Sequence, residues 1–546
     1  MSIEMKPIPF ADLMRQALRE YQNRGTLFSV PVVPVPAAGG AELNRQPLES
    51  VIGPAAGPHT QLAQNLVSGY AAGGRFFELK TVQILWGDAL GIQRPCIYVR
   101  DEGYNTEWST ELSPKQAAEE YIKGWLAIHL LCRELSIGKP DGFVFNLSVG
   151  YDLPGIQSPE VDRFLETMKD ASNTIFWQQC VAEAKALPLK NVDSAAIDAI
   201  SPRISDNVTL STMHGCPPEQ IEAIASYLME KKHLHTAIKC NPTLVGRETA
   251  RCLLDELGYT DIQFDGAQFA HDMKLEQAVP MLRRLLKKGE TLGLRFGVKL
   301  TNTFPVIIQN GEMAGDTMYL SGKALYPLAL STARLLTEAL EGALPISFSG
   351  GADQSNAAAL YQAGLWPITV ATVLLQRGGY KNLSKLVRAC GKVDSAPNSP
   401  SLPALDRLLE QLHADGSHYR RQEPKKVLGQ TPPFACGRCT TCVDVCPNRA
   451  NYLVPGLKQT AVHLDGPCND CGACACACPF GFRPYADKFV LYPNETLLLE
   501  SQRDGFVIKE QGYTVRYHGQ LCEAPETLPS EVRALMDAVR AMELAQ

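Results

Sequence analysis

The stretch PISFSGGADQSNAAALYQAGLWPITVATVLL, residues 345–375, decides how the chain reads. It opens on a short β-rich run, PISFSG at 345, and passes a double glycine, Gly350-Gly351. A helix-period segment at 353–363 follows, and then a second β-rich run, ITVAT at 368. Strand, helix, strand is the repeating unit of a parallel sheet. The same alternation extends outward from about Val51 to Gly391. Its further candidate strands are VIGPAAG at 51, RFFELKTV at 75, FVFNLSV at 143, TAIKC at 236, DIQF at 261 and RFGVKLTN at 295, with helical periods at 115–136, 217–231, 274–288 and 323–341. Eight strands over this length suit an α/β fold of the (β/α)8 barrel type with insertions; an open doubly wound sheet is the alternative. A barrel builds its site at the C-terminal strand ends. The polar and small residues stand there: Ala56-Gly57, Lys80-Thr81, Asn146 to Ser148, Lys239 to Asn241, Thr301 to Thr303, Gly350-Gly351 and Ala371-Thr372.

At 546 residues the chain has room for three or four domains, or one barrel and smaller pieces. Hydrophobic residues at 45% and charged residues at 20% exclude a fibrous or wholly disordered chain. The net charge, 52 − 58 = −6, offers no general attraction to nucleic acid or an anionic membrane, and neither is expected as a partner. No apolar run is long enough to cross a bilayer, and residues 1–24 carry charges where a signal peptide needs an apolar centre, so a cytoplasmic protein is expected. The expected domains are an N-terminal extension with one amphipathic helix (1–50), the barrel (51–395) and a Pro/Ser-rich linker with a helix near 402–413 (396–430). A cysteine module (431–485) and terminal strands with a helix (486–546) complete the chain.

Nine of the 17 cysteines fall between Cys436 and Cys478. CGRCTTCVDVCP at 436–447 and CNDCGACACACP at 468–479 each spell Cys-x2-Cys-x2-Cys-x3-Cys-Pro, the spacing of a two-cluster bacterial ferredoxin. Three thiolates of one motif surround a [4Fe-4S] cluster, and the fourth crosses to the other. The expected ligands are Cys436, Cys439, Cys442 and Cys478 for one cluster, and Cys468, Cys471, Cys474 and Cys446 for the second. A pair of zinc sites is the alternative, although zinc has no use for a third evenly spaced cysteine. Cys476 is off the spacing and reads as a buried thiol. Two such clusters move single electrons, so the chain needs a donor and an acceptor. Neither a G-x-G-x-x-G fingerprint nor a Walker loop is present. The loops after the seventh and eighth strands are where barrels commonly bind phosphate through backbone N–H groups; a tight turn is the alternative at Gly350-Gly351.

The segments GPAAGP (53–58), FELKTV (77–82), FNLSVG (145–150), TMHGCPPEQIEAI (212–224), IKCNPT (238–243), VKLTNT (298–303), SGKALYPLAL (321–330), SFSGGAD (347–353) and VATVLL (370–375) resemble, in order, the FMN barrels of dihydroorotate and dihydropyrimidine dehydrogenases. GPAAGPHTQLAQN, YNTEWST (104–110), STMHGCPP and CVDVCPNRAN are similar to the selenate reductase subunit family associated with anaerobic purine breakdown. Those larger proteins carry an FAD and NADPH module between barrel and ferredoxin, for which the linker here is too short. The resemblance therefore implies an external electron donor, either an FAD/NAD(P)H flavoprotein subunit or a ferredoxin; a homo-oligomer is compatible with it.

By that resemblance the cofactors are FMN and two [4Fe-4S] clusters. Ala56 and Gly57 would line the flavin, Lys80 and Thr81 would contact it, and Lys239 would sit at its N1/C2=O edge, where a cation stabilises the reduced ring. Gly322, Gly350, Gly351, Ala371 and Thr372 would hold the ribityl phosphate, with Asn302 also against the cofactor. Asn146, Ser148, Asn241, Asn302 and Thr303 would hydrogen-bond a cyclic amide, since amide side chains both donate and accept. Cys216 occupies the place of the proton donor: an ordinary thiol is protonated at neutral pH, and a helix starting at Pro217-Pro218 would stabilise the thiolate left behind. His214 and His59 are candidates for orienting substrate or relaying a proton, whereas His271 reads as a cap or surface residue and Cys132, Cys180, Cys252 and Cys390 as inert. The implied activity is reduction of a nitrogen heterocycle, an oxopurine such as urate or else a pyrimidine. An electron-transfer subunit of a larger reductase is the alternative, and oxyanion reduction ranks last.

Overall fold

A computed structural model describes residues 5–36, 41–107, 109–211, 215–264, 266–393, 396–423, 439–457, 461–522 and 524–544. Eight strands form one parallel sheet: β1 (Ile52–Pro54), β2 (Phe76–Glu78), β3 (Val144–Val149), β4 (Asn207–Leu210), β5 (His235–Cys240), β6 (Phe296–Leu300), β7 (Ile346–Phe348) and β8 (Leu365–Val370). Their hydrogen-bonded order is β1-β8-β7-β6-β5-β4-β3-β2. Across the remaining gap the Arg75 N–H donates to the Ile52 carbonyl at 2.9 Å, so the sheet curls almost fully round. The barrel, not the open sheet, is the architecture. Gly53 makes the closure feasible: a Cβ there would lie 1.6 Å from the Phe76 carbonyl oxygen.

One strand expectation is corrected. DIQF at 261 is not a barrel strand; it makes only an isolated bridge, Phe264 to Val306, and Phe264 packs edge-on against Phe304. The fourth strand is instead Asn207–Leu210, which follows four helices inserted after β3: Leu153–Ile156, Pro159–Lys169, Ile175–Ala186 and Ser194–Asp198. Four-residue apolar runs carry too little periodicity to separate the two cases. The expected helices at Pro114–Leu135, Pro218–Glu230, Leu275–Leu292 and Tyr326–Ala339 all form. The first has a complete capping box between Ser113 and Gln116.

Two excursions build a roof over the C-terminal mouth. Ile97–Val99 and Gly103–Asn105 leave the barrel after β2, Phe304–Ile307 and Thr317–Ser321 after β6, and the four strands pair antiparallel into one sheet. The segment after the barrel runs back over it: helix Leu402–Ala414 buries Leu405, and Tyr419 stacks on Tyr326 with ring centroids 4.4 Å apart.

The cysteine-rich segment leads into a six-stranded mixed sheet from Asn451–Leu453 to Gln520–Cys522, followed by helix Ser530–Met542. It docks on the barrel and roof through main-chain contacts. The N–H groups of Cys96 and Ile97 both donate to the Cys471 carbonyl, at 3.1 and 2.8 Å, and Asn65 Nδ2 donates to the Pro447 carbonyl at 2.7 Å. The N-terminal helix Phe10–Arg24 clamps the same junction, with Gln16 Nε2 donating to the Tyr452 hydroxyl. Among the described residues no helix is long and apolar enough to cross a membrane.

Closure at β1 sets an expected outcome. Gly53→Ala forces a methyl into the Phe76 carbonyl and should destabilise the chain by about 3 kcal/mol or more, read as a lowered midpoint in urea unfolding followed by circular dichroism.

Candidate functional site

Beneath the roof, at the C-terminal ends of the strands, lies a cavity of about 430 Å³. It continues into a second of about 210 Å³ over β6 to β8. The two share Ala56, Lys239, Thr303, Ser321, Ala371 and Thr372, so together they form one elongated site.

The smaller end is walled by main chain. Gly322 and Gly351 have φ of +82° and +76°. A Cβ on Gly351 would come within 2.8 Å of the Tyr326 nitrogen, and one on Gly322 within 2.9 Å of the Thr372 methyl. Only glycine leaves this cradle open. Gly350 does not reach the cavity; it packs against Ala329, where a Cβ would stand at 2.5 Å. Lys323 is held at the rim by Asp101 at 2.6 Å, and His418 by Asp353 at 2.6 Å.

Electrostatics at the centre turn on buried charges. Lys80 is paired with Glu107, and Lys299 with Glu78 while also donating to Thr369 Oγ1 at 2.6 Å. Lys80 thus sits behind Glu107 and does not line either cavity, contrary to the expected flavin contact. Burial would raise the Glu78 pKa, but the Lys299 and Lys239 ammonium groups outweigh it and hold the carboxyl below its ordinary value. Lys239 has no hydrogen-bonding or ion-pair partner among the described residues, and it projects where the two cavities join. Burial lowers its pKa to about 8, with Glu78 opposing and Lys299 and Lys80 adding to the fall.

The larger end is lined by uncharged hydrogen-bonding groups: Thr81, Asn302, Thr303 and Ser211, with Asn105 and Tyr319 from the roof. Thr81 is steadied by the Ser148 hydroxyl at 2.8 Å, and Asn302 by Asn241 Oδ1 at 3.2 Å, so Ser148 and Asn241 support lining residues. Asn146 is not at this cavity; it donates to Thr209 Oγ1 at 2.8 Å lower in the barrel. Asn105 and Glu107 lie in the quoted YNTEWST motif but were not expected at the site, because only the roof brings that excursion over the strand ends.

Cys216 stands at the rim next to the helix starting at Pro218, half-buried, its thiol donating to Gln220 Oε1 at 3.2 Å. It is not among the residues lining the cavity. Burial, helped by Asp152, raises its pKa to about 11, so the thiol stays protonated at neutral pH. Asp272 pins the neighbouring Gly215 N–H at 2.6 Å and the Thr243 hydroxyl at 2.7 Å. His214 lies outside the described residues. His59 is not brought to the cavity: it is fully buried with its ring edge-on to Tyr380, and burial, then Arg449 and Lys80, lower its pKa to about 3.

Of the eight expected cluster ligands, Cys436 lies outside the described residues. Cys439, Cys442 and Cys478 line one small pocket together with Phe480 and Phe482. Cys471 and Cys474 are buried and Cys468 is partly so, and each has the Cys446 sulfur as an electrostatic neighbour. Cys446 Sγ accepts the Ala450 N–H at 3.1 Å and Cys468 Sγ the Asp470 N–H at 3.3 Å, the bonds that steady a thiolate ligand. Among the described residues no three His, Cys, Asp or Glu side chains converge on a single metal ion. Ligands of a cubane stand around its corners, so that absence leaves the grouping of the cysteines intact.

Residues 36–420 match the family model described as oxidoreductase YgfK, N-terminal TIM-barrel domain. Two curated relatives from Escherichia coli, in strains K12 and O157:H7, are named as the oxidoreductase YgfK. Each is 40% identical over 469 residues, covering 81% of this chain and 45% of theirs. The chain thus spans about half the length of these relatives.

The buried pair beneath the site has a measurable signature. Lys80→Met leaves Glu107 uncompensated and should cost about 3–5 kcal/mol, while Lys80→Met combined with Glu107→Leu should cost markedly less than either change alone. Urea unfolding of the two single variants and the double variant checks this.

Proposed function

The chain belongs to the YgfK oxidoreductase family, and on that premise we propose that it is an FMN- and iron-sulfur-dependent reductase of a nitrogen heterocycle. The observation that carries the reading is Lys239, an unpaired ammonium at the junction of a glycine-walled cradle and a polar chamber. The cradle at Gly322, Gly351, Ala371 and Thr372 suits a phosphate, Ala56 and Gly57 a flat ring, and Lys239 the electron-rich edge of that ring. Bound FMN supplies the conversion of singly delivered electrons into hydride. Cys439, Cys442 and Cys478 with Cys436, and Cys468, Cys471 and Cys474 with Cys446, are the proposed thiolate sets for two [4Fe-4S] clusters.

The residues at the larger end bind and orient the substrate. Asn302, Thr303, Thr81 and Asn105 offer donors and acceptors to a ring with alternating N–H and C=O groups. Lys239 is the sole cation among the described lining residues of this chamber, and the one carboxylate, Glu107, is neutralised by Lys80. A cyclic amide, whose charge where it carries one is spread over the ring, therefore fits better than the localised charge of a carboxylate or a selenium oxyanion. Urate or another oxopurine is the preferred class, with a pyrimidine second. Cys216 is the proposed acid, its thiol giving a proton to the ring face opposite the hydride. Electrons come from an FAD/NAD(P)H flavoprotein or a ferredoxin, a role for which the portion of the relatives beyond this chain leaves room.

A second reading, an electron-transfer subunit of a larger reductase, is favoured by the rim position of Cys216, outside the lining of the chamber. The two readings separate experimentally. Protein purified without oxygen should release one FMN per chain and show iron-sulfur absorbance, and Cys216→Ser should keep both while losing about 100-fold in urate-dependent turnover. Unchanged turnover supports the second reading, and absence of flavin overturns both.

Lys239 gives a further expected outcome. Its free ammonium loses its proton near pH 8, and an anionic or electron-rich partner favours the charged form. FMN binding should therefore take up a proton above pH 8 and weaken as pH rises, an effect lost in Lys239→Met; calorimetry in buffers of differing ionisation enthalpy measures it.

A further inference from the structure

A (β/α)8 barrel ordinarily fills its interior with branched aliphatic side chains. Here polar groups replace them: Lys299 reaches Glu78 and Thr369, and Asn146 bonds Thr209 on the neighbouring strand. Below them, toward the N-terminal face, lies a chamber of about 60 Å³ whose walls include Asn146, Asn207, Thr209, His235, Arg295 and Ser347. Apolar side chains, Phe76, Val208, Val298 and Trp366 among them, make up much of the rest of the wall, and a space of this size with polar groups along it has room for several waters at about 10–15 Å³ each. Glu78 lines this chamber and also the cofactor-end cavity, and no other described residue lines both. Its Oε2 accepts from Lys299 and from the Ala56 N–H at 3.2 Å, while Oε1 takes no hydrogen bond from a described residue.

This column meets a requirement of the reaction proposed above, on which the inference rests. Reducing C=N to CH–NH consumes two electrons and two protons. The external one-electron donor supplies electrons alone. One proton must join the electron pair to make hydride, and Cys216 supplies the other. The roof and the docked cysteine module cover the mouth from above. We propose that the barrel axis is the inlet for the proton that accompanies the electrons, with water in the lower chamber collecting it and Glu78 relaying it to the cofactor cavity.

The charged groups facing Glu78 are Lys299 on β6 and Lys239 on β5. Around the chamber below stand Arg295 and His235, with Asp206 4.0 Å from His235 Nε2 at the outer end. His235 Nδ1 accepts the Arg295 N–H at 2.9 Å, so its ring cannot pass a proton from one nitrogen to the other. Water and Glu78 therefore carry the transfer. Glu78 acts through the cavity without touching substrate, as a positioning and relay residue.

Flavin-loaded full-length protein is reduced with excess reduced methyl viologen, a one-electron donor that releases no proton on oxidation, in a stopped-flow instrument, in weak buffer containing a pH indicator. Proton uptake should slow about tenfold or more in Glu78→Gln and recover in Glu78→Asp, with flavin and iron content unchanged. Thr209→Val keeps the Glu78–Lys299 pair and covers the case in which Glu78→Gln does not fold; it should slow uptake in the same direction. Uptake as fast as wild type in Glu78→Gln, or in Thr209→Val where Glu78→Gln does not fold, overturns the relay while the reductase reading stands, as does a high-resolution crystal structure with a dry chamber. A wild-type chain that takes up no flavin overturns the reading and the relay together.

Discussion

The site depends on an imbalance of buried charge. Among the described residues, Lys80, Lys239 and Lys299 stand at the centre of the barrel mouth with the carboxylates Glu78 and Glu107, while Asp101 and Asp353 at the rim are taken up by Lys323 and His418. Charges in a low-dielectric interior are costly unless paired. Two pairs form, and the residual cation is Lys239, whose depressed pKa is the physical mark of that cost. A barrel that keeps such a group at its mouth gives up stability unless something electron-rich arrives there. The unpaired lysine is therefore the feature of the fold most directly explained by a bound partner.

The surroundings of that lysine act by leaving space. Glycines at 322 and 351 keep side chains out of one end, and the close approach allowed by Gly53 draws β1 and β2 together. The closed barrel in turn fixes Ala56 and Thr81 on opposite sides of the seam, where both line the larger cavity. The roof completes the enclosure. Its strand Ile97–Val99 serves two neighbours at once: Ile97 and Val99 line the cavity, while the Ile97 N–H holds the Cys471 carbonyl. One strand thus separates the cysteine module from the chamber.

Much of this was legible in the sequence, for identifiable reasons. Gly351 and the strand end at Lys239 are local patterns, and both line the cavity. The barrel was legible because eight strand-like runs alternated with helices, even though one of them, at 261, was the wrong run. Legibility failed where a role depends on what lies across space. Lys80 follows a strand end like Lys239, but Glu107 from the roof neutralises it. Asn146 sits near the end of β3, yet Thr209 holds it inside the barrel, and Thr209 belongs to the strand that the sequence reading missed. His59 follows the Ala56-Gly57 turn at the cavity but is rotated into the core against Tyr380.

The same reasoning bears on Cys216. A thiol made acidic by its surroundings is a nucleophile, whereas a thiol whose pKa is raised is an acid that keeps its proton. At Cys216 burial and Asp152 push in the second direction, and no cation appears among the influences on it. The start of a helix at Pro218 would favour the thiolate but does not overcome them. The loop is therefore built to hold a proton, which fits a donor to a ring carbon or nitrogen better than an attacking group. Its anchor, Asp272, reaches both Gly215 and Thr243, tying the rim of the cavity to the segment that follows β5. The strand that carries Lys239 and the loop that carries the thiol are thereby fixed in one frame.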